Sequence, residues 1–187
     1  MPRPPRDFAP GIHHVGSGAS GPDVYYRDEV DYATWIRLLA ATASRYAWTV
    51  IIVVQLTTHW HAIVDVPDHS LPVGMQHLNC RYSREFNERH RRVGYLVRDR
   101  YWSRRKTSDT ELLNAFCYVA NNPPSAGLVS RAEDWRWSSY ATTIGLSDAF
   151  SFVDASSVVG QFGPTPDLAR KALRQHVAQL AARAEPS

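Results

Sequence analysis

Two apolar, β-branched runs sit almost end to end in the middle of the chain, residues 48–56 and 59–66, separated only by Thr57 and Thr58. So short a spacer predicts an antiparallel hairpin, closed at its far end by Pro67-Asp68. The flanks extend the pattern. A short strand is expected over 11–16, followed by a Gly/Ser loop over 16–23. Asp28 is placed to cap a helix over 29–46, where Tyr32, Ile36, Leu39 and Ala40 recur at helical spacing. Ser70 is expected to cap a second helix from about 72 to 91, with Met75, Leu78, Tyr82 and Phe86 on one face and Gly94 marking its break. Residues 95–106 are expected to be extended. Ser108 then opens a third helix with a capping-box-like pattern to Glu111, which Asn122-Pro123-Pro124 is expected to end. This order predicts an α+β class, a ferredoxin-like (split βαβ) antiparallel sheet with helices packed on it, plus a C-terminal helical tail.

Three segments are expected along the chain: a flexible N-terminal arm at 1–10 with four prolines, a main domain at 11–146, and a C-terminal extension at 147–187. The tail helix carries Leu168, Ala172, Leu173, Val177 and Leu180 at helical spacing, which suits packing back on the domain or pairing with a second chain. Monomer and homodimer both remain open. Hydrophobic residues at 44% and charged residues at 21% exclude disorder as the overall state. The longest apolar run, interrupted by Thr49 and Gln55, is far short of the roughly 20 residues that span a bilayer. With no charged-then-apolar leader, the expectation is a cytoplasmic protein with no membrane partner. Cys80 and Cys117 are too few for a disulfide scaffold or a four-sulfur zinc site and are expected to be small buried residues.

The formal net charge is only +3, but its distribution is uneven. Ten of the 21 Lys+Arg residues fall between Arg81 and Lys106, interleaved with Tyr82, Phe86, Tyr95, Tyr101 and Trp102. Guanidinium forks suit phosphate oxygens and aromatic faces suit unstacked bases, so a nucleic-acid surface is one reading. A solvated helix face is the other.

His59-Trp60-His61 on the second hairpin strand is the sharpest local feature. Strand side chains alternate, so the two imidazoles share a face about 6.5–7 Å apart along the backbone, with Trp60 on the other. Such a pair can hold a cation or serve as hydrogen-bonded structure. Tyr118 and Asn122, four apart, share one face of the third helix. They suit either a site element or an ordinary aromatic and a helix-end amide. Two imidazoles and an amide oxygen would form a neutral, open site compatible with manganese or magnesium, zinc being possible.

Taken together, His-Trp-His, Met75-Gln76-His77-Leu78-Asn79 with Arg81-Tyr82 and Phe86-Asn87, residues 118–128 (YVANNPPSAGL) and Trp137-Ser138-Ser139-Tyr140 resemble the Y1 transposases. More closely they resemble the IS200-like and REP-associated tyrosine transposases among the HUH nucleases. The likeness covers about 12–145, making 11–146 a Y1 transposase (HUH nuclease) domain. It implies that His59, His61 and Asn122 bind a divalent metal ion (Mg2+ or Mn2+), and that Tyr118 attacks single-stranded DNA to form a 5′-phosphotyrosine. A phenol is a poor nucleophile at neutral pH, so a cation polarising the phosphate would offset much of that deficit. The resemblance gives the basic stripe a partner, single-stranded or hairpin DNA. Arg81, Arg84, Arg100, Arg104 and Arg105 would line its path, with Tyr101 or Trp102 stacking bases. Trp137 and Tyr140 are expected to be core anchors. The chain departs from the family at Thr57-Thr58, where Pro-Asn is usual, and at Ala120, where histidine is frequent. A domesticated, non-catalytic DNA-binding module of the same fold is the alternative, and a small metal-dependent hydrolase a third.

Overall fold

A computed structural model describes residues 8–19, 24–97 and 100–184. Strands β1 (Gly11–Gly18), β2 (Thr49–Gln55), β3 (His59–Val66) and β4 (Trp102–Lys106) form one antiparallel sheet in the order β2-β3-β1-β4. The hairpin forms as expected, and β1 inserts beside β3, pairing His14 with Ile63 and Gly16 with His61.

The helices divide between the two faces of this sheet. On one face lie α1 (Glu29–Arg45) and α2 (Leu71–His90), whose Trp35, Leu38, Met75, Leu78 and Tyr82 pack with Val15, Trp60, Ala62 and Val64. Asp28 caps α1 by accepting hydrogen bonds from the Val30 and Asp31 amides. On the opposite face lie α3 (Asp109–Ser125), α4 (Tyr140–Thr143), α5 (Ser156–Val159) and α6 (Pro166–Ala184). Leu112, Phe116 and Val119 of α3 and Leu173 and Val177 of α6 cover Ile52, Val54 and Ile63. The sheet is thus buried on both sides, which explains why β2 is a continuous apolar run rather than an alternating one. The described part is a mixed α+β fold of four strands and six α-helices.

Several local expectations change. Helix α3 does not end at Asn122; Pro123 and Pro124 lie inside its last turn, and Gly127 at φ 69° closes it while the Leu128 amide donates to the Pro123 carbonyl. Ser70 makes no side-chain cap bond, because its hydroxyl accepts from Trp48 Nε1 at 2.8 Å instead. Among the described residues, strand structure after α2 is confined to β4, and 91–97 and 100–101 are irregular. Cys117 is buried, but Cys80 is exposed. The tail helix packs back on α3, where the Asn121 side-chain amide donates to the Val177 carbonyl at 3.0 Å.

The Trp-Ser-Ser motif has a structural role. Val53 and Ser139 exchange two bonds, the Ser139 amide to the Val53 carbonyl at 2.9 Å and the Val53 amide to Ser139 Oγ at 3.0 Å. The segment therefore caps the outer edge of β2, and Tyr140 is fully buried just beyond it. Trp137 stacks on Tyr32, with ring centroids 4.7 Å apart. Among the described residues no helix is long and apolar enough to cross a membrane.

Candidate active site

Because β3 alternates, Trp60 enters the core under α1 and α2 while His59 and His61 face the α3 side. Their ring centroids are 5.2 Å apart. His61 is buried and His59 half-buried. The hydroxyl of Thr58 lies 3.0 Å from His59 Nδ1.

A third imidazole completes the cluster. His14 of β1 is buried, and its Nε2 lies 3.2 Å from His61 Nδ1. Burial and the neighbouring His61, Lys106 and Arg104 push the His14 pKa down to about 3. Burial and the charge of His59 lower His61 to about 4, and burial lowers His59 as well. All three are therefore neutral imidazoles at physiological pH, the form in which a histidine can act as a ligand. In the sequence, little marks His14 as part of a site. The only signal was the His13-His14 doublet in a glycine-bounded segment, and the pairing register that brings it to His61 is not visible in one strand alone.

Tyr118 arrives from above. Helix α3 is held by the buried Val119 and Ala120, which leaves Tyr118 half-exposed at 57% on the helix flank. Its ring centroid is 5.7 Å from that of His61 and 5.9 Å from that of His14, in the same chain. Asn122, one turn on, is half-buried and donates its side-chain N–H to the Tyr118 carbonyl at 2.8 Å. That leaves Oδ1 as the atom it can offer to a cation. Two neutral imidazoles and an amide oxygen suit a hard or borderline divalent ion, so the residues present fit such a group.

β4 supplies the remaining wall. Trp102 pairs with Gly16, and its indole lies edge-on to His14 at 4.7 Å between centroids. Arg104 pairs with His14 and so shares its face, whereas Arg105 pairs with His13 on the opposite face, near Gly11. Tyr101 is largely buried in the α1/α2 core, which leaves little of its ring open for the expected stacking, while Trp102 is 38% exposed. Arg81 and Arg84 lie on α2, on the far side of the sheet, each paired to a glutamate one turn on (Glu85 at 3.5 Å and Glu88 at 2.8 Å). Arg84 and Arg100 line a groove of about 810 Å³ with Asn79, Asn87 and Tyr95.

Among the described residues, one group of three His, Cys, Asp or Glu ligand atoms converges within 4.8 Å, and it is elsewhere: Asp28, Asp31 and His90. Its carboxylate oxygens are already engaged by the Arg89 guanidinium, His90 Nε2 and backbone amides. The group is a clamp joining the start of α1 to the end of α2.

Sheet order and helix placement define the class: a ferredoxin-like α+β domain with an added helical layer over its second face, a tyrosine of that layer meeting a strand His-X-His. Among solved structures, the chain has the fold of a REP-associated tyrosine transposase bound to a REP hairpin, with a TM-score of 0.67 and 15% sequence identity over 79% of this chain and 88% of that one. No family model and no curated protein matches the sequence.

Proposed function

We propose that this protein is a tyrosine transesterase of the transposase type that nicks and rejoins single-stranded DNA and recognises hairpin DNA. The observation that carries the reading is Tyr118 packed against His61 and His14 within one chain, beside His59. The REP hairpin bound by the structural neighbour supports DNA as the substrate class. His59, His61 and Asn122 would hold a divalent cation, which when bound supplies Lewis-acid polarisation of the scissile phosphate.

The chain's own groups do the rest. Tyr118 Oη forms the new bond to phosphorus and its phenolic proton passes to water, while the P–O3′ bond breaks and the departing 3′-oxygen takes up a proton. The 5′-phosphotyrosine keeps the energy of the original diester, so attack by another 3′-hydroxyl restores Tyr118 without a nucleotide cofactor. Arg104, directly across the β1–β4 pair from His14, supplies positive charge for the incoming phosphates. Trp102 offers a half-exposed ring on which a base can stack. On the far side, Arg81, Arg84 and Arg100 are proposed as contacts to the hairpin-bearing flank.

The test is a labelled hairpin oligonucleotide incubated with Mn2+. Wild type is expected to give a denaturant-resistant band that Tyr118→Phe abolishes while gel-shift affinity stays nearly intact. An adduct that survives in the variant assigns the nucleophile to another tyrosine. A wild type that shifts the DNA but never forms the adduct is a binding module.

A further inference from the structure

We propose that His14 is a positioning residue that fixes the tautomer and orientation of His61, an inference that rests on the reading of His59 and His61 as cation ligands. An imidazole that binds a cation through Nε2 must carry its proton on Nδ1. His61 Nδ1 lies 3.2 Å from His14 Nε2, deep in the sheet and away from water. One hydrogen bond between two imidazoles has one donor and one acceptor. If His14 donated, the proton on His61 would sit on Nε2 and block the ligand position; with His61 donating, Nε2 is left open.

Arg104 stands directly across the β1–β4 pair from His14, on the same face. His14 is not a third ligand, since His14, His59 and His61 do not converge as a group within 4.8 Å. His59 has the matching arrangement, with Thr58 Oγ1 3.0 Å from its Nδ1. Both histidines of the pair therefore have Nδ1 engaged by a neighbour, one by an adjacent hydroxyl and one by a residue 47 positions away in the chain. The Trp102 indole and the Tyr118 ring hem His14 in, so its orientation is set by packing.

Titration of the full chain with Mn2+ alone, read as free Mn2+ by electron paramagnetic resonance, tests the assignment without recourse to activity. His14→Gln, whose amide can accept where Nε2 did, is expected to bind Mn2+ within about twofold of wild type. His14→Phe, which fills the space without an acceptor, is expected to weaken binding about 10–100-fold. Wild-type affinity in His14→Phe, or equal loss in His14→Gln and His14→Phe, overturns the proposal. Wild type that binds no Mn2+, or His61→Ala that binds as well as wild type, overturns the cation reading and this inference with it. Should His14→Phe fail to fold, long-range 1H–15N spectra of metal-free wild type decide the matter: His61 protonated on Nδ1 supports the assignment, and protonation on Nε2 overturns it.

Discussion

The Trp102 indole lies across Gly16, so closely that a Cβ on Gly16 would come within 2.5 Å of the ring. The two pair directly between β1 and β4, and the missing side chain is what lets the indole reach His14. Gly16→Val should push Trp102 outward at a stability cost of about 1–3 kcal/mol. Loosening the wall beside His14 and His61 is expected to lower the rate of adduct formation by about a hundredfold. Thermal melts and single-turnover gels measure the two effects separately, and an unchanged rate would show that the indole has no part in the site.

Arg104 and Arg105 are adjacent in sequence and opposite in space. Arg104→Ala is expected to weaken single-stranded DNA binding and to make the log–log salt dependence shallower by about 0.7–1. Arg105→Ala should leave both quantities unchanged. Equal effects in the two variants would contradict the face assignment.

Ser139 replaces a strand at the edge of β2. Ser139→Ala removes the acceptor of the buried Val53 amide and should destabilise the fold by about 1–3 kcal/mol in urea unfolding, with no change in DNA affinity beyond that explained by unfolding.

The histidine cluster makes stability depend on pH with a definite sign. His14 and His61 have folded-state pKa values near 3 and 4, below the ordinary 6.5, so between about pH 4 and 6.5 the unfolded chain binds more protons than the folded one. Stability therefore falls as the pH drops through this window and is flat above about pH 7. Each histidine contributes a slope of at most about 1.4 kcal/mol per pH unit. Denaturant melts from pH 7.5 to 5 should show this decline, and His14→Gln should reduce the slope by about one proton's worth. A variant slope equal to that of wild type would show that His14 is not held neutral by the fold.

How much of this was legible beforehand follows from the range of each interaction. The hairpin, the Asp28 cap and the facing of His59 and His61 depend on neighbours a few residues away, and periodicity carried them. Tyr118 and Asn122 could be placed on one helix face, but the approach of Tyr118 to the histidines depends on the fold implied by the four motifs together. The contact of His14 with His61 was invisible because it depends on register with a strand 47 residues on. Tyr101 and Cys80 were misjudged for a related reason: in a chain segment without regular structure, or on a helix with mixed faces, composition does not say which side meets the core. Asn122 was placed at a helix end because prolines usually terminate helices. Here both occupy the last turn, where few intrahelical bonds remain to lose.

The two borders of the sheet are finished differently. The outer side of β2 is closed by backbone and hydroxyl bonds from 137–139, whereas among the described residues β4 is the last strand, with no neighbour beyond it. Its Arg104, Arg105 and Lys106 then have a second effect, since a row of like charges repels another copy approaching edge to edge. Replacing the three by valine would turn a solubilising border into an adhesive one. The concentration at which such a variant begins to associate would report how strongly those charges keep one molecule from extending the sheet of the next.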